Sequence, residues 1–300
     1  MWPFKRQDRA LFNVGDGWPP PATAAGVAVN TDIAQRLSAV WACVRLLADV
    51  ISTMPVDAYR QGSREPIEPR PPILVTPAAG TPMHDWLAQV VRSLLLAGNA
   101  WGLVTDRTGA GLRPSRIELL DPARVGVQVD RDGTVTYRLD GAEIDRDELW
   151  HLRAYPVAGQ VRGLSPIAYA MQNIGLRLAA EQFGAQFFGD NATPSGILTT
   201  DQRLTPESAH KLSERWNIYF GSGKPRGRRT AVLGEGARWQ AVSVQPEESQ
   251  FLDTLQFNVA QVCRIYGVPP EMIAAASGDS LTYANVEQRS LDFLTYTVGP

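Results

Sequence analysis

The sequence predicts an α+β protein: stretches with apolar residues three or four apart stand on both sides of a central stretch that alternates with period two. Asp-Gly pairs at 132 and 140 punctuate that central stretch, the mark of hairpins in an antiparallel sheet rather than of a parallel, doubly wound one. The 300 residues are 44% hydrophobic and 20% charged, with a net charge of −2, ordinary proportions for one large domain or a few smaller ones.

Residues 1–29 include "GDGWPPPATAAG", whose Pro, Gly and Ala content reads as an extended N-terminal arm. From Asn30 the positions Ile33, Leu37, Val40, Trp41, Val44, Leu47 and Ile51 form one stripe of an amphipathic helix that Pro55 terminates. A second helix is expected from about Pro82 to Ala97, with Thr81 as its cap and Pro82 at the first helical position, where a missing amide costs nothing. The alternating stretch makes a β-rich insertion at about 100–153. Ser165 and Pro166 then open a long helix with Ile167, Met171, Ile174 and Leu178 on one face, ended by the segment Gly189 to Gly196. Further helices are expected at about 206–220, from about Pro246 to Tyr266 and from about Tyr283 onward, with short strands at "TAVL" and "ARWQAVSV" between them.

No long apolar run follows the basic first residues and none elsewhere reaches membrane-spanning length, so synthesis in the cytoplasm with no membrane partner is expected. Cys43 and Cys263 lie inside apolar helical patterns and read as small hydrophobes. His84, His151 and His210 are far apart and lack paired ligands at metal-binding spacing. There is no Gly-x-Ser-x-Gly elbow, and Glu247 with Glu248 sits in a helix's first turn, where the backbone dipole favours negative charge. "GSGK" at 221–224 is not a phosphate loop: the position six before Lys224 is Ile218, and Pro225 stands where a magnesium-binding hydroxyl belongs. Neither an enzyme nor a cofactor or metal is indicated.

Several segments together resemble the portal proteins of tailed bacteriophages, in the branch common in siphophages and prophages. They are "SAVWACVRLLADVISTMPVDAYR" (38–60), "LLLAGNAWG" (94–102), "ELWHLR" (148–153), "GLSPIAYA" (163–170) and "FFGDNATPSGIL" (187–198). "CRIYGVPPEMI" (263–273) and "YANVEQRSLDFLTYTVGP" (283–300) complete the set. The resemblance implies a portal-like fold: a wing-like α+β region at 30–200 carrying the β-rich insertion, a stem/clip-like α/β region at 201–282, and the start of a C-terminal helical region at 283–300. Members of the family usually continue beyond the position of Pro300, so a shortened crown is expected.

The implied function is a ring-forming structural conduit at one capsid vertex, a dodecamer at full length, through which double-stranded DNA is packaged and ejected without sequence specificity. The implied partners are further copies of the chain, the terminase large subunit that carries the ATPase, capsid or scaffold protein, and a head-tail connector; the implied location is the virion. A net charge of −2 suits a channel that must not grip its DNA, since tight binding rests on many cationic phosphate contacts. Lys224, Arg226, Arg228 and Arg229, set among Gly221, Gly223 and Gly227, are the candidate contacts to tunnel DNA or to the motor. Two other readings remain at this level: a DNA-binding module built on that basic loop, or a capsid-associated hydrolase.

Overall fold

The computed structural model describes residues 23–63, 65–109, 111–130, 132–189, 196–199, 205–220, 238–241, 259–274 and 283–299. The chain divides into two compact units, Met1–Glu181 with Leu252–Pro300, and Gln182–Phe251.

The described part of the first unit opens with a turn in which the Thr23 hydroxyl donates to the Val27 carbonyl at 2.8 Å. Asn30 caps the short helix α1 (Thr31–Ala34), its side-chain oxygen accepting from the Ile33 amide at 2.7 Å. Helix α2 (Ser38–Ser52) follows after a break. The sequence stripe from Ile33 to Ile51 had suggested one continuous helix; the Leu37 backbone instead turns extended, with φ −71° and ψ 121°. That kink drops Leu37 and Ala34 into the same core as Val40, Cys43, Val44 and Leu47. Trp41, expected on the buried stripe, is 45% exposed and is capped by the Arg92 guanidinium 5.6 Å from its ring.

A one-turn helix α3 (Pro72–Val75) precedes α4 (Met83–Ala97). Pro82 is the N-cap residue of α4 rather than its first helical residue, and no side chain caps it, so Thr81 does not play the role expected. Gly98 ends α4 in a left-handed conformation with φ 71°, and the chain passes directly into β1 (Asn99–Thr108).

The alternating stretch forms two antiparallel three-stranded sheets. In one, β1 lies between β2 (Arg113–Leu120) and β6 (Leu149–Arg153). In the other, β4 (Val135–Leu139) lies between β3 (Val125–Val129) and β5 (Ala142–Ile144). Asp140 and Gly141, at φ 52° and 87°, make the two-residue turn that pairs Leu139 with Ala142, the left-handed pair a tight hairpin requires. One apolar cluster joins Trp86 and Val90 of α4 to Ala100 and Ile117, with the Trp86 indole N–H donating to the Ile117 carbonyl at 2.9 Å. A second joins Trp101, Val125, Tyr137 and Leu149 across the two sheets.

Ser165 opens α5 (Pro166–Gly189): its hydroxyl accepts from the Ala168 amide at 3.2 Å and donates to the Leu96 carbonyl at 2.7 Å, tying the start of α5 to the end of α4. Ile167 and Ile174 are buried in the main core, with Met171 and Leu178 packed against it, the face the sequence predicts. The core is completed by Val262, Cys263 and Tyr266 of α7, whose described part is 259–266, and by Phe293 of the C-terminal helix α8 (Tyr283–Phe293).

In the second unit, β7 (Gly196–Thr199) pairs antiparallel with β8 (Arg238–Ala241), and α6 spans Pro206–Phe220. Thr205 and Ser208 cap α6 reciprocally, each side-chain oxygen accepting from the other's amide at 2.9 and 3.3 Å. The expected strand "TAVL" and the residues from Pro246 to Asn258 lie outside the described residues.

Candidate functional site

Three segments distant in sequence meet at Asn99. Its side-chain oxygen accepts from the Gly163 amide at 2.7 Å and from His151 Nε2 at 2.9 Å, while its side-chain amide donates to the carbonyls of Ala97 at 3.0 Å and Gly163 at 3.2 Å. These four bonds leave one consistent assignment: the Asn99 oxygen faces two donors, so the His151 proton is on Nε2. The His151 ring stacks on Trp101, with centroids 3.5 Å apart and planes 12° from parallel. Burial, and then the nearby Arg153, Arg146 and Arg162, push the pKa of His151 down to about 3, so the ring is neutral at physiological pH.

The backbone is as tightly specified as the side chains. A Cβ on Gly98 would stand 2.2 Å from the Leu164 carbonyl oxygen, and one on Gly163 would stand 2.3 Å from the carbonyl oxygens of both Gly98 and Ala154. Only glycine permits these approaches. The segments "LLLAGNAWG", "ELWHLR" and "GLSPIAYA" each give this junction one element: Gly98 and Asn99, His151, and Gly163 with Ser165.

A second junction unites the two C-terminal motifs. Arg289, from "YANVEQR", donates to Glu271, from "GVPPEM", at 2.7 Å. The Thr297 hydroxyl donates to the Gly267 carbonyl at 2.8 Å, and Gly267 sits at φ 66° with Thr297 directly against it. A backbone hydrogen bond at Glu271, reinforced by the Arg289 guanidinium, holds the Glu271 carboxyl below the usual carboxylate range. The Tyr266 hydroxyl donates to the Leu95 carbonyl at 3.2 Å, so the same motif also grips the last turn of α4, and burial raises the Tyr266 pKa.

Beside the first junction lies an open groove of about 680 Å³, bordered by Asp32, Arg92, Asp121, Arg162 and the first turns of α5. Its charges are of both signs, and His151, the one histidine nearby, is held neutral and engaged with Asn99. Among the described residues no group of three His, Cys, Asp or Glu is placed to hold a metal ion. Also among the described residues, no helix is long and apolar enough to cross a membrane. His84 meets Ser52 and Asp85, and His210 lies 3.7 Å from Glu214 one helical turn away. Cys43 and Cys263 are both buried in the main core and adjoin one another; burial pushes the Cys43 thiol up to about 12 and raises that of Cys263 as well.

The four cations singled out in the sequence, Lys224, Arg226, Arg228 and Arg229, lie outside the described residues. The Asn99, His151 and Gly163 junction and the Glu271–Arg289 pair were not legible as sites. Their only signal was that each falls within a segment on which the family resemblance rests.

The family model described as phage portal protein matches residues 38–300. The chain is 33% identical to the probable portal protein of Streptomyces phage phiC31 over 98% of its own length and 66% of that protein's. It is 27% identical to the portal protein of Enterobacteria phage HK97 over 91% of its own length and 66% of that protein's. The chain thus spans just under two thirds of the length of these curated relatives. Among solved structures, a chain from the neck of the native gene transfer agent particle, computed with C12 symmetry, superposes with a TM-score of 0.63 at 21% identity, over 87% of this chain and 72% of that one. The junction-forming segments and the two C-terminal motifs all fall within the matched residues 38–300: the chain belongs to the phage portal protein family.

Proposed function

We propose that copies of this chain assemble head to tail into a closed ring at one capsid vertex of a tailed-phage particle, and that the ring is the passage for double-stranded DNA. The observation that carries this reading is the family match over residues 38–300 together with a mixed helix-and-sheet fold like that of a neck protein solved with C12 symmetry. A head-to-tail interface closes into a ring when its rotation divides the circle, and a dodecamer is the expected outcome. In this reading the chain is structural rather than catalytic. It is made in the host cytoplasm, is built into the virion, and contacts the terminase large subunit, capsid or scaffold protein and a head-tail connector. The family divisions also belong to this reading: an extended arm at 1–29, a wing-like region at 30–200, a stem/clip-like region at 201–282 and a C-terminal helical region from 283.

Within the ring, Lys224, Arg226, Arg228 and Arg229 are assigned to tunnel DNA or to the motor. Cation–phosphate contacts act through counterion release and carry no base information, which suits a conduit for any sequence. Replacing all four with Ser tests the assignment. A run of four cations with no acid between them reads in sequence as a solvated loop, so the variant is expected to fold and assemble as the parent does. DNA packaged per particle, or terminase docking, is expected to fall. Normal packaging in particles carrying the quadruple variant removes these residues from the site.

A further inference from the structure

Strands β1 and β2 run past the rest of their sheet. β6 pairs with β1 only from Asn99 to Leu103, whereas β2 stays paired with it as far as Thr108 and Arg113. The first four residues of β1 are buried and its last four, Thr105 to Thr108, are all exposed. Successive side chains point to opposite faces, so the far end of this hairpin is bare on both. It is a two-stranded arm, and such a hairpin has little stability of its own in water. Its tip is nonetheless fixed: the Arg107 guanidinium donates to the Leu112 carbonyl at 3.0 Å and also to the Asp147 carbonyl, and the Leu112 amide donates to the Gly109 carbonyl at 3.1 Å. Leu112 sits there at φ 45°, where a bulky side chain is disfavoured, and is 66% exposed. An apolar side chain held out at a backbone cost points to a surface it is built to meet.

The open groove beside Asn99 lies at the other end of the same two strands. Trp101 and Leu120 line the groove and pair with one another, while Thr108 pairs with Arg113 at the tip. At about 3.3 Å per residue, roughly 23 Å separates the two ends. A body that projects at one end and recedes at the other has the two different faces that a head-to-tail contact needs. The groove, about 680 Å³, is within the range that encloses a drug-sized ligand, and Leu96, Leu119 and Met171 give it apolar lining.

The charges match as well. Arg113 follows Leu112 at the tip, and Asp32 and Asp121 border the groove. Among the described residues none of these three is in an ion pair. The groove's cations are engaged within the chain, Arg92 with Gln35 and the Trp41 ring and Arg162 with the Val125 carbonyl. Asp121 accepts from the Ala123 amide at 2.9 Å, which leaves Asp32 as the carboxylate open to a partner.

We propose that the β1–β2 arm of each copy docks in the groove of the next copy of this chain, with Leu112 against the apolar lining and Arg113 paired with Asp32. The proposal rests on the ring reading above and names the surfaces that join one copy to its neighbour. Photo-cross-linking tests it on protein assembled with scaffold and capsid protein, with Leu112→p-benzoylphenylalanine as the probe, since that exposed side chain supports no core. The expected product is an adduct between copies, a ladder on a denaturing gel, whose mapped peptides hold Leu96, Leu119 or Met171. Arg113→Glu is expected to lower the adduct yield about threefold, the scale of an exposed ion pair, and Asp32→Arg in the same chain to restore it. Rings whose adducts map outside the groove, or rings that give no adduct between copies, overturn the docking and leave the ring reading standing. Absence of rings in parent and variant alike, with no adduct between copies, overturns both.

Discussion

Asn99 and Gly163, 64 residues apart, exchange two hydrogen bonds: the Gly163 amide donates to the Asn99 side chain at 2.7 Å and the Asn99 side-chain amide donates back to the Gly163 carbonyl at 3.2 Å. This pairing imitates a backbone ladder with one side chain. It ties the start of β1 to the segment just before α5. Asn99→Asp keeps an acceptor for Gly163 and His151 but turns a carboxylate toward the Ala97 and Gly163 carbonyls. We expect Asn99→Asp and Asn99→Ala each to cost about 2–3 kcal/mol in the first unit's unfolding by urea, the range for a buried network left unsatisfied. A loss below about 0.5 kcal/mol in both contradicts the role given to Asn99.

The glycines beside that pairing predict a contrast between positions. Gly163→Ala drives a methyl onto two carbonyl oxygens at 2.3 Å, whereas Gly133→Ala meets nothing within 4 Å and suffers only its positive φ. Gly133→Ala is expected to cost about 1 kcal/mol, the usual left-handed backbone penalty, while Gly163→Ala is expected to lose most of the soluble yield. Equal effects, read from yield and thermal unfolding, count against tight packing at the junction.

Much of this fold is legible in the sequence where periodicity carries it. The buried face of α5 and the Asp140-Gly141 hairpin follow from spacing and turn chemistry alone. The break between α1 and α2 is not marked: Gln35, Arg36 and Leu37 include neither Gly nor Pro, and only tertiary burial of Leu37 and Ala34 selects the kink. Asn99 in a sequence is one polar residue after a helix-ending glycine. Its partners His151 and Gly163 lie 52 and 64 positions away, beyond the reach of any local pattern.

His151 gives the first unit an acid-side stability slope. Its folded pKa, about 3, lies below the ordinary histidine value, so below about pH 6.5 the unfolded chain binds a proton that the folded chain refuses. The contribution is whole above that pH and is lost as pH falls toward 3. Discounted for partial exposure, the expected loss between pH 7 and pH 4 is about 1–2 kcal/mol. His151→Gln, which retains a donor toward Asn99, is expected to flatten that slope in urea titrations at the two pH values. A slope unchanged by the substitution contradicts the assignment.

The Glu271–Arg289 pair is partly exposed, so its energy is modest: each single substitution to Ala is expected to cost about 1 kcal/mol or less. Exchange of the two charges, Glu271→Arg with Arg289→Glu, is expected to recover part of the loss that either reversal causes alone. A double-mutant cycle with no coupling separates the two C-terminal motifs energetically.

The central claim is that copies of this chain close into a ring around a channel. Electron microscopy of the purified protein, alone and with scaffold and capsid protein, tests it most directly. The account predicts closed rings with an axial opening. Monomers under every condition, binding DNA with a steep salt dependence, would contradict it.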